Sequence, residues 1–317
     1  MLNDSDKRLL EELHSSFLSP LLSVEGVTDI AYNGEAIYFK TNLEGRKKAE
    51  IEVGPEEVGA FLRQLANLSE KQFSYLDPIL DISFGLYRLN AAFHSISRVN
   101  GRKSYSFSLR VASEEPILEN SPSFFPKNSR KILLNALEKR HSIVIGGETG
   151  AGKTELQKYL LSHLAESTRV IVIDNVEELE LTRSGSLDLT SWLVDERNPK
   201  ASYSALIKNA LRNDPDYLIL AESRGEEMLD ALNCAMSGRP IITTLHSFDL
   251  ASIPSRMARM AMMGGKNLGM EALLSDIIHH FQLYVYVGKK VKDGKIFRSI
   301  ESIGYADEAS ASVKPIF

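Results

Sequence analysis

Eight consecutive residues, Gly147-Glu148-Thr149-Gly150-Ala151-Gly152-Lys153-Thr154, match the pattern G-x-x-x-x-G-K-[ST] in full. Such a loop is suited to one kind of chemistry. Its glycines let successive backbone N–H groups turn toward phosphate oxygens, and the helix behind it presents its N-terminus to the same anion. In this pattern Lys153 reaches the β- and γ-phosphates of a nucleotide, and the Thr154 hydroxyl holds Mg²⁺. The bland alternative is an ordinary glycine-rich turn. Context favours phosphate binding: Ser142-Ile143-Val144-Ile145 reads as a short strand before the loop, and Leu156, Tyr159, Leu160 and Leu164 mark one face of a helix after it.

Three later apolar runs each end in a polar residue: Asp174 after Ile171-Val172-Ile173, Glu222 after Leu218-Ile219-Leu220-Ala221, and His246 after Ile242-Thr243-Thr244-Leu245. Ligands of an open parallel sheet bind outside the carboxyl ends of its strands, so all three are expected to face the crevice of the phosphate loop. Glu222 is placed to organise a magnesium shell or orient an attacking water, against the alternative of an N-cap for a helix starting near Glu226. His246 is a candidate γ-phosphate sensor, against a satisfied core histidine. In the acidic run Asp174, Glu177, Glu178 and Glu180, Asp174 and Glu178 are the better catalytic candidates, against a solvated face. Arg88, Arg98, Arg102, Lys103 and Arg110 cluster on one predicted hairpin. They suit a solvated face, arginine fingers on a transferring phosphoryl group, or a nucleic-acid patch.

The elements that must carry these residues differ between the two halves. Leu9, Leu10, Leu13 and Phe17 recur at helical spacing, and Pro20 is expected to end that helix. Val27–Tyr32 runs into Asn33-Gly34, a hairpin signal, and Ala36–Phe39 follows. Pro55-Glu56-Glu57 opens a helix with Val58, Phe61, Leu62 and Leu65 on its apolar face. Phe84–Ala91 and Ser104–Arg110 read as strands, with Asn100-Gly101 turning between them. The prolines and serines of Ala112–Pro126 suggest a linker. Beyond it, strands that are apolar throughout alternate with helices, which implies a parallel sheet covered on both faces. Residues beyond Ala306 read as a frayed tail. The expected organisation is an α+β domain with an antiparallel sheet (1–111), a linker (112–126) and an α/β domain with a mostly parallel sheet (127–317).

Composition sets outer bounds. At 317 residues, with 43% apolar and 25% charged residues, the chain is neither disordered nor collagen-like. The net charge of −5 gives no support for nucleic-acid binding. No apolar run approaches the ~20 residues that span a bilayer, and no secretory signal is visible. The single cysteine, Cys234, excludes an intrachain disulfide and a four-cysteine zinc site. It reads as buried packing in a reducing cytoplasm.

The order of the motifs resembles the secretion-superfamily traffic ATPases of type II and type IV secretion and of type IV and tight-adherence pili. Four boxes carry the resemblance: a Walker A box at Gly147–Thr154, an Asp box at Ile173–Leu179, a Walker B box at Leu211–Arg224 and a His box at Ser237–Ser247. Three positions depart from the family pattern: Ala221 replaces a glycine, Arg239 a second histidine, and Asp174-Asn175 a Glu-Asp pair. The resemblance implies a RecA-like P-loop fold for the second domain (127–317), ATP and Mg²⁺ as ligands, and a homo-hexameric motor working with inner-membrane secretion or pilus components from the cytoplasmic face. It places Arg88, Arg98 and Arg110 where the family keeps nucleotide-contacting arginines. The lone cysteine and short N-terminal domain favour the type IV secretion or tight-adherence branch. A slow-turnover ATP-binding scaffold and a DNA translocase are the alternatives.

Overall fold

The computed structural model describes residues 4–112, 118, 121–176, 179, 187–195, 198–265 and 268–317. The chain divides into two compact units: Met1–Ser113 with Val291–Phe297, and Glu114–Lys290 with Arg298–Phe317.

The first unit contains α1 (Asp4–Ser15), α2 (Ser19–Leu22), β1 (Val27–Tyr32), β2 (Ile37–Thr41), β3 (Lys47–Lys48), α3 (Pro55–Leu68), β4 (Ile79–Phe84), β5 (Tyr87–Ala92), β6 (Arg98–Val99), β7 (Arg102–Lys103) and β8 (Ser106–Val111). Among the described residues its sheet has the order β3-β2-β1-β8-β5-β4, with antiparallel pairs, and β6-β7 is a separate ribbon. Side chains alternate across each strand, so Leu80, Ile82 and Phe84 of β4 are buried while their neighbours are exposed. That buried face meets Leu9 and Leu13 of α1 and Val58, Phe61, Leu62 and Leu65 of α3 in one core.

Local turn chemistry corrects two expectations and sets the loop length of an expected hairpin. Phe84–Ala91 is not one strand: Gly85, at φ 52°, and Leu86 turn the chain between β4 and β5, which pair from Phe84–Tyr87 outward. Pro20 lies in the first turn of α2 rather than at the end of α1, a place where its missing N–H costs nothing. Asn33-Gly34 opens a four-residue loop, because the Asn33 side-chain oxygen accepts from the N–H groups of Glu35 and Ala36 at 3.0 and 2.9 Å. Asn100-Gly101 is a two-residue turn, with φ of 49° and 76°.

The second unit contains α4 (Ser129–Glu138), β9 (Ile143–Gly147), α5 (Lys153–Ser162), β10 (Arg169–Asp174), β11 (Asp188–Leu193), α6 (Tyr203–Ala210), β12 (Tyr217–Leu220), α7 (Glu227–Met236), β13 (Ile241–Leu245), α8 (Ser252–Met262) and α9 (Met270–His280). It also holds most of β14 (Leu283–Lys292) and β15 (Lys295–Asp307), and all of β16 (Ser312–Pro315). The sheet order is β11-β10-β12-β13-β9-β14-β15-β16. Neighbours from β11 to β14 run parallel, and β15 and β16 antiparallel. Alternate residues of the central strands feed two cores. Val144, Ile171, Leu218 and Ile241 face α7, α8 and α9, while Ile143, Val170, Ile219 and Ile242 face α4 and α5. Burial on both faces explains why these strands are apolar throughout.

The tail is ordered further than expected: β15 runs to Asp307, and Val313 of β16 is buried against the first of these cores. Of the expected linker, 113–117, 119 and 120 lie outside the described residues, while Leu118, Phe124 and Phe125 are buried in the core shared with α4 and α5. Among the described residues, no helix is long and apolar enough to cross a membrane.

Candidate functional site

β9 ends at Gly147 and α5 begins at Lys153, so the eight motif residues form the strand-to-helix turn they were expected to form. Two glycines are needed for distinct reasons. A Cβ on Gly147 would fall 2.3 Å from the Val287 carbonyl oxygen of β14. Gly152 has φ 101°, the left-handed conformation that turns the chain into α5. Lys153 is only 8% exposed. Its Nζ donates to the Gly147 and Glu148 carbonyls, both at 2.9 Å, and lies 3.3 Å from His246 Nδ1. Thr154 follows in the first turn of the helix. A helix N-terminus and a nearly buried ammonium thus serve the same loop, an arrangement suited to an anion. Behind the loop, Lys289 Nζ donates to the Thr149 carbonyl at 3.0 Å and Arg298 Nε to the Gly150 carbonyl at 2.7 Å.

The carboxyl ends of β12 and β13 bring Glu222 and His246 together. His246 Nε2 stands 3.0 Å from Glu222 Oε1, an ion-pair distance, and Arg224 Nη2 donates to Glu222 Oε2 at 2.7 Å. His246 Nδ1 lies 3.3 Å from both Lys153 Nζ and the Gly147 carbonyl oxygen. Lys153, His246 and Glu222 thus stand in one row, with Glu222 Oε1 at ion-pair distance from the ring but without a hydrogen bond. Several bonds fix the strand ends that carry it. Ser223 N–H donates to the Thr244 carbonyl at 2.8 Å, Thr244 Oγ1 to the Ala221 carbonyl at 2.7 Å, and the Ser223 and Thr243 hydroxyls pair at 2.8 Å. From α5, the buried Gln157 amide donates to the Leu220 carbonyl at 2.7 Å. Glu227 Oε1 accepts from the backbone N–H groups of Arg224 and Gly225, bracing the turn that leads into α7. The N-cap position of α7 is Glu226, which makes no side-chain cap bond, so Glu222 is not the N-cap.

Asp174 ends β10 at 2% exposure, and its carboxylate accepts from the N–H groups of Asn175, Val176 and Leu179 at 2.7, 3.1 and 3.4 Å. Glu177, Glu178 and Glu180 lie outside the described residues. Arg88, Arg98 and Arg110 belong to the first unit. Arg88 pairs with Asp81 at 3.3 Å and sits opposite Arg110 across β5 and β8. Arg98 Nη1 donates to the carbonyls of His94, Ser95 and Ser97, closing its own turn. Arg239, in place of a second histidine, pairs with Asp214 and donates to the Pro215 carbonyl, so it braces the approach to β12. Cys234 is buried in the core, as its neighbours suggested. Burial pushes its thiol up to about 12.

Sequence reasoning missed Gln157, Glu227, Lys289, Arg298 and Tyr203. The Tyr203 phenol is pushed up by burial and then by Asp174. Only Glu227 left a legible signal, an acid three residues past a turn. The others act through strands and helices distant in sequence. Among the described residues no cluster of three or more His, Cys, Asp or Glu is grouped to hold a metal. The Thr154 hydroxyl would serve as one ligand of a divalent ion there, with phosphate oxygens supplying others.

The family model for type II/IV secretion system proteins matches residues 103–283, more than half of the chain. An uncharacterized protein of Bacillus anthracis is 29% identical over 270 residues, covering 84% of this chain and 59% of that protein. The type IV secretion system protein VirB11 of Brucella suis is 32% identical over 168 residues, covering 51% of this chain and 46% of that one. The chain thus spans about half to three-fifths of the length of these two relatives. The crystal structure of that VirB11 ATPase aligns over 97% of this chain and 99% of its own, with TM-score 0.52 and 21% identity. The Legionella pneumophila ATPase DotB aligns over 96% of this chain and 81% of its own, with TM-score 0.65 and 21% identity. The last two show a shared fold, an antiparallel-sheet unit followed by a mostly parallel one.

Proposed function

The chain belongs to the type II/IV secretion system protein family, and from that footing we propose that it hydrolyses ATP as the motor of a secretion, conjugation or pilus machine. The observation that carries this reading is the row Lys153–His246–Glu222 across the phosphate loop and the ends of β12 and β13. Lys153 exchanges the Gly147 and Glu148 carbonyls for β- and γ-phosphate oxygens. Loop N–H groups and the N-terminus of α5 hold the remaining phosphate charge. Mg²⁺, held by Thr154, supplies further neutralisation of charge when bound. Glu222 orients the attacking water, and His246, touching both Lys153 and Glu222, links phosphate occupancy to the position of that carboxylate. Asp174 is assigned to positioning, since its oxygens are spent on the backbone after β10. We place the protein at the cytoplasmic face of the membrane, as a ring of six copies.

The ion pair that Arg224 makes with Glu222 Oε2 favours one second reading, a nucleotide switch that turns over slowly. Phosphate release with Mg²⁺ and ATP decides between them. Under the motor reading, wild-type protein releases phosphate catalytically, Lys153→Ala loses turnover by at least about a hundredfold, and Glu222→Gln keeps ATP binding while losing turnover. Wild-type turnover in Lys153→Ala would refute the site. ATP binding without turnover by the wild-type ring would select the switch. Sedimentation with a non-hydrolysable ATP analogue and Mg²⁺ tests the ring, and monomer alone would overturn it.

A further inference from the structure

Parallel strands in register continue side by side beyond their last paired residues. Val287 of β14 pairs with Gly147, the last residue of β9. Two residues later, on the same face of β14, Lys289 therefore runs beside Thr149, and its Nζ donates to the Thr149 carbonyl at 3.0 Å. Its ammonium also stands 3.8 Å from a Glu148 carboxylate oxygen. On β15, the next strand of the sheet, Arg298 donates through Nε to the Gly150 carbonyl at 2.7 Å, and its Cδ flanks Gly152.

We propose that Lys289 and Arg298 are positioning residues for nucleotide binding, holding the phosphate loop by its carbonyl oxygens so that its N–H groups stay turned to the phosphates. The inference rests on the assignment of this loop to ATP. The physical argument has two parts. A peptide group whose carbonyl is held can present its N–H in only one direction. The Thr149 carbonyl shares a peptide group with the Gly150 N–H, and the Gly150 carbonyl with the Ala151 N–H. The Gly150 N–H is one of the donors that a phosphate meets in such a loop, and the Ala151 N–H, which here donates to the Glu148 carbonyl at 3.3 Å, becomes another when phosphate displaces that partner. A cation bonded to the carbonyl also draws charge out of the same amide, which makes its N–H a stronger donor. Neither residue carries a sequence signature, because both reach the loop from strands that follow it by more than a hundred residues.

The test is calorimetric titration of the full chain with ATP and with ADP, in Mg²⁺, alongside steady-state turnover. The variants are Lys289→Gln, Arg298→Gln, the double variant, and the charge-preserving Lys289→Arg and Arg298→Lys. Each single glutamine variant should weaken both nucleotides by about three- to tenfold, and the double variant by more, the range expected for partly exposed charge-assisted bonds. KM should rise in step with Kd, while kcat at saturating ATP stays within about twofold, since the loop holds phosphate before and during the reaction. The charge-preserving variants should recover most of the affinity, which a role in packing alone would not require. Unchanged affinity in the double variant would overturn the proposal, and so would a fall in kcat with Kd unchanged. Failure of the wild-type protein to bind ATP would instead overturn the assignment of the loop.

Discussion

Replacing Gln157 by leucine should leave stability nearly unchanged, although the side chain is 1% exposed and cross-links two strands. Its Nε2 donates to the Leu220 carbonyl at 2.7 Å and, more weakly, to the Ile242 carbonyl at 3.5 Å. Its Oε1 is buried without a hydrogen-bond partner. Gln157→Leu removes the donor and leaves the Leu220 carbonyl short of one bond, a cost of about 1–3 kcal/mol. The same change removes the unpaired Oε1, whose desolvation carries a penalty of similar size, about 1–3 kcal/mol. Leucine fills nearly the same space, so little cavity forms. The two effects offset each other to within about 1 kcal/mol. Gln157→Ala behaves differently, because it leaves the carbonyl short of its bond and adds a void, and should cost about 3 kcal/mol. Urea unfolding followed by circular dichroism, with the midpoints of the three proteins compared, measures both changes. Turnover in Gln157→Leu should stay within about threefold of wild type, since the ends of β12 and β13 remain tied through Ser223, Thr243 and Thr244. A leucine variant as destabilised as the alanine variant would refute the offset. Collapse of turnover at wild-type stability would show that Gln157 itself sets the distance between Glu222 and His246.

Gly147→Ala should cost at least about 2 kcal/mol or displace β14, because the new Cβ meets the Val287 backbone oxygen, which cannot rotate away; wild-type thermal stability together with wild-type ATP affinity would refute this. Glu227→Ala should lower stability by about 1 kcal/mol through loss of its bonds to the Arg224 and Gly225 N–H groups and should loosen the Glu222 turn, so urea midpoint and turnover fall together; a change in neither quantity would refute it. The folded Cys234 thiol, pushed up to about 12 by burial, makes stability depend on alkaline pH. Stability is full below the unfolded thiol value of about 8.5 and declines as pH rises toward the folded value, since only the unfolded chain ionises there. Cys234→Ala should remove that part of the slope, and a native thiol that reacts readily with iodoacetamide at pH 8 would contradict the burial.

The glycine-rich strand-to-helix turn, the three polar strand ends and the class of each half of the chain are legible in the amino-acid sequence alone. These rest on patterns written within one stretch of residues: glycine and lysine spacing, apolar runs closed by an acid or a histidine, and turn residues at fixed offsets. The exceptions are also local: Gly85, at φ 52°, turns the chain inside an apolar run that reads as one strand. Which groups meet is fixed by the packing of the whole unit. Lys153, His246 and Glu222 touch because β9, β13 and β12 are neighbours in the sheet, an order that differs from their order along the chain. The same holds for Gln157, which reaches β12 from α5, and for Lys289 and Arg298, which reach the phosphate loop from β14 and β15. Strand order is set by how helices pack over both faces of the sheet to bury its apolar side chains. That packing is a property of the whole unit, so no window of sequence contains it.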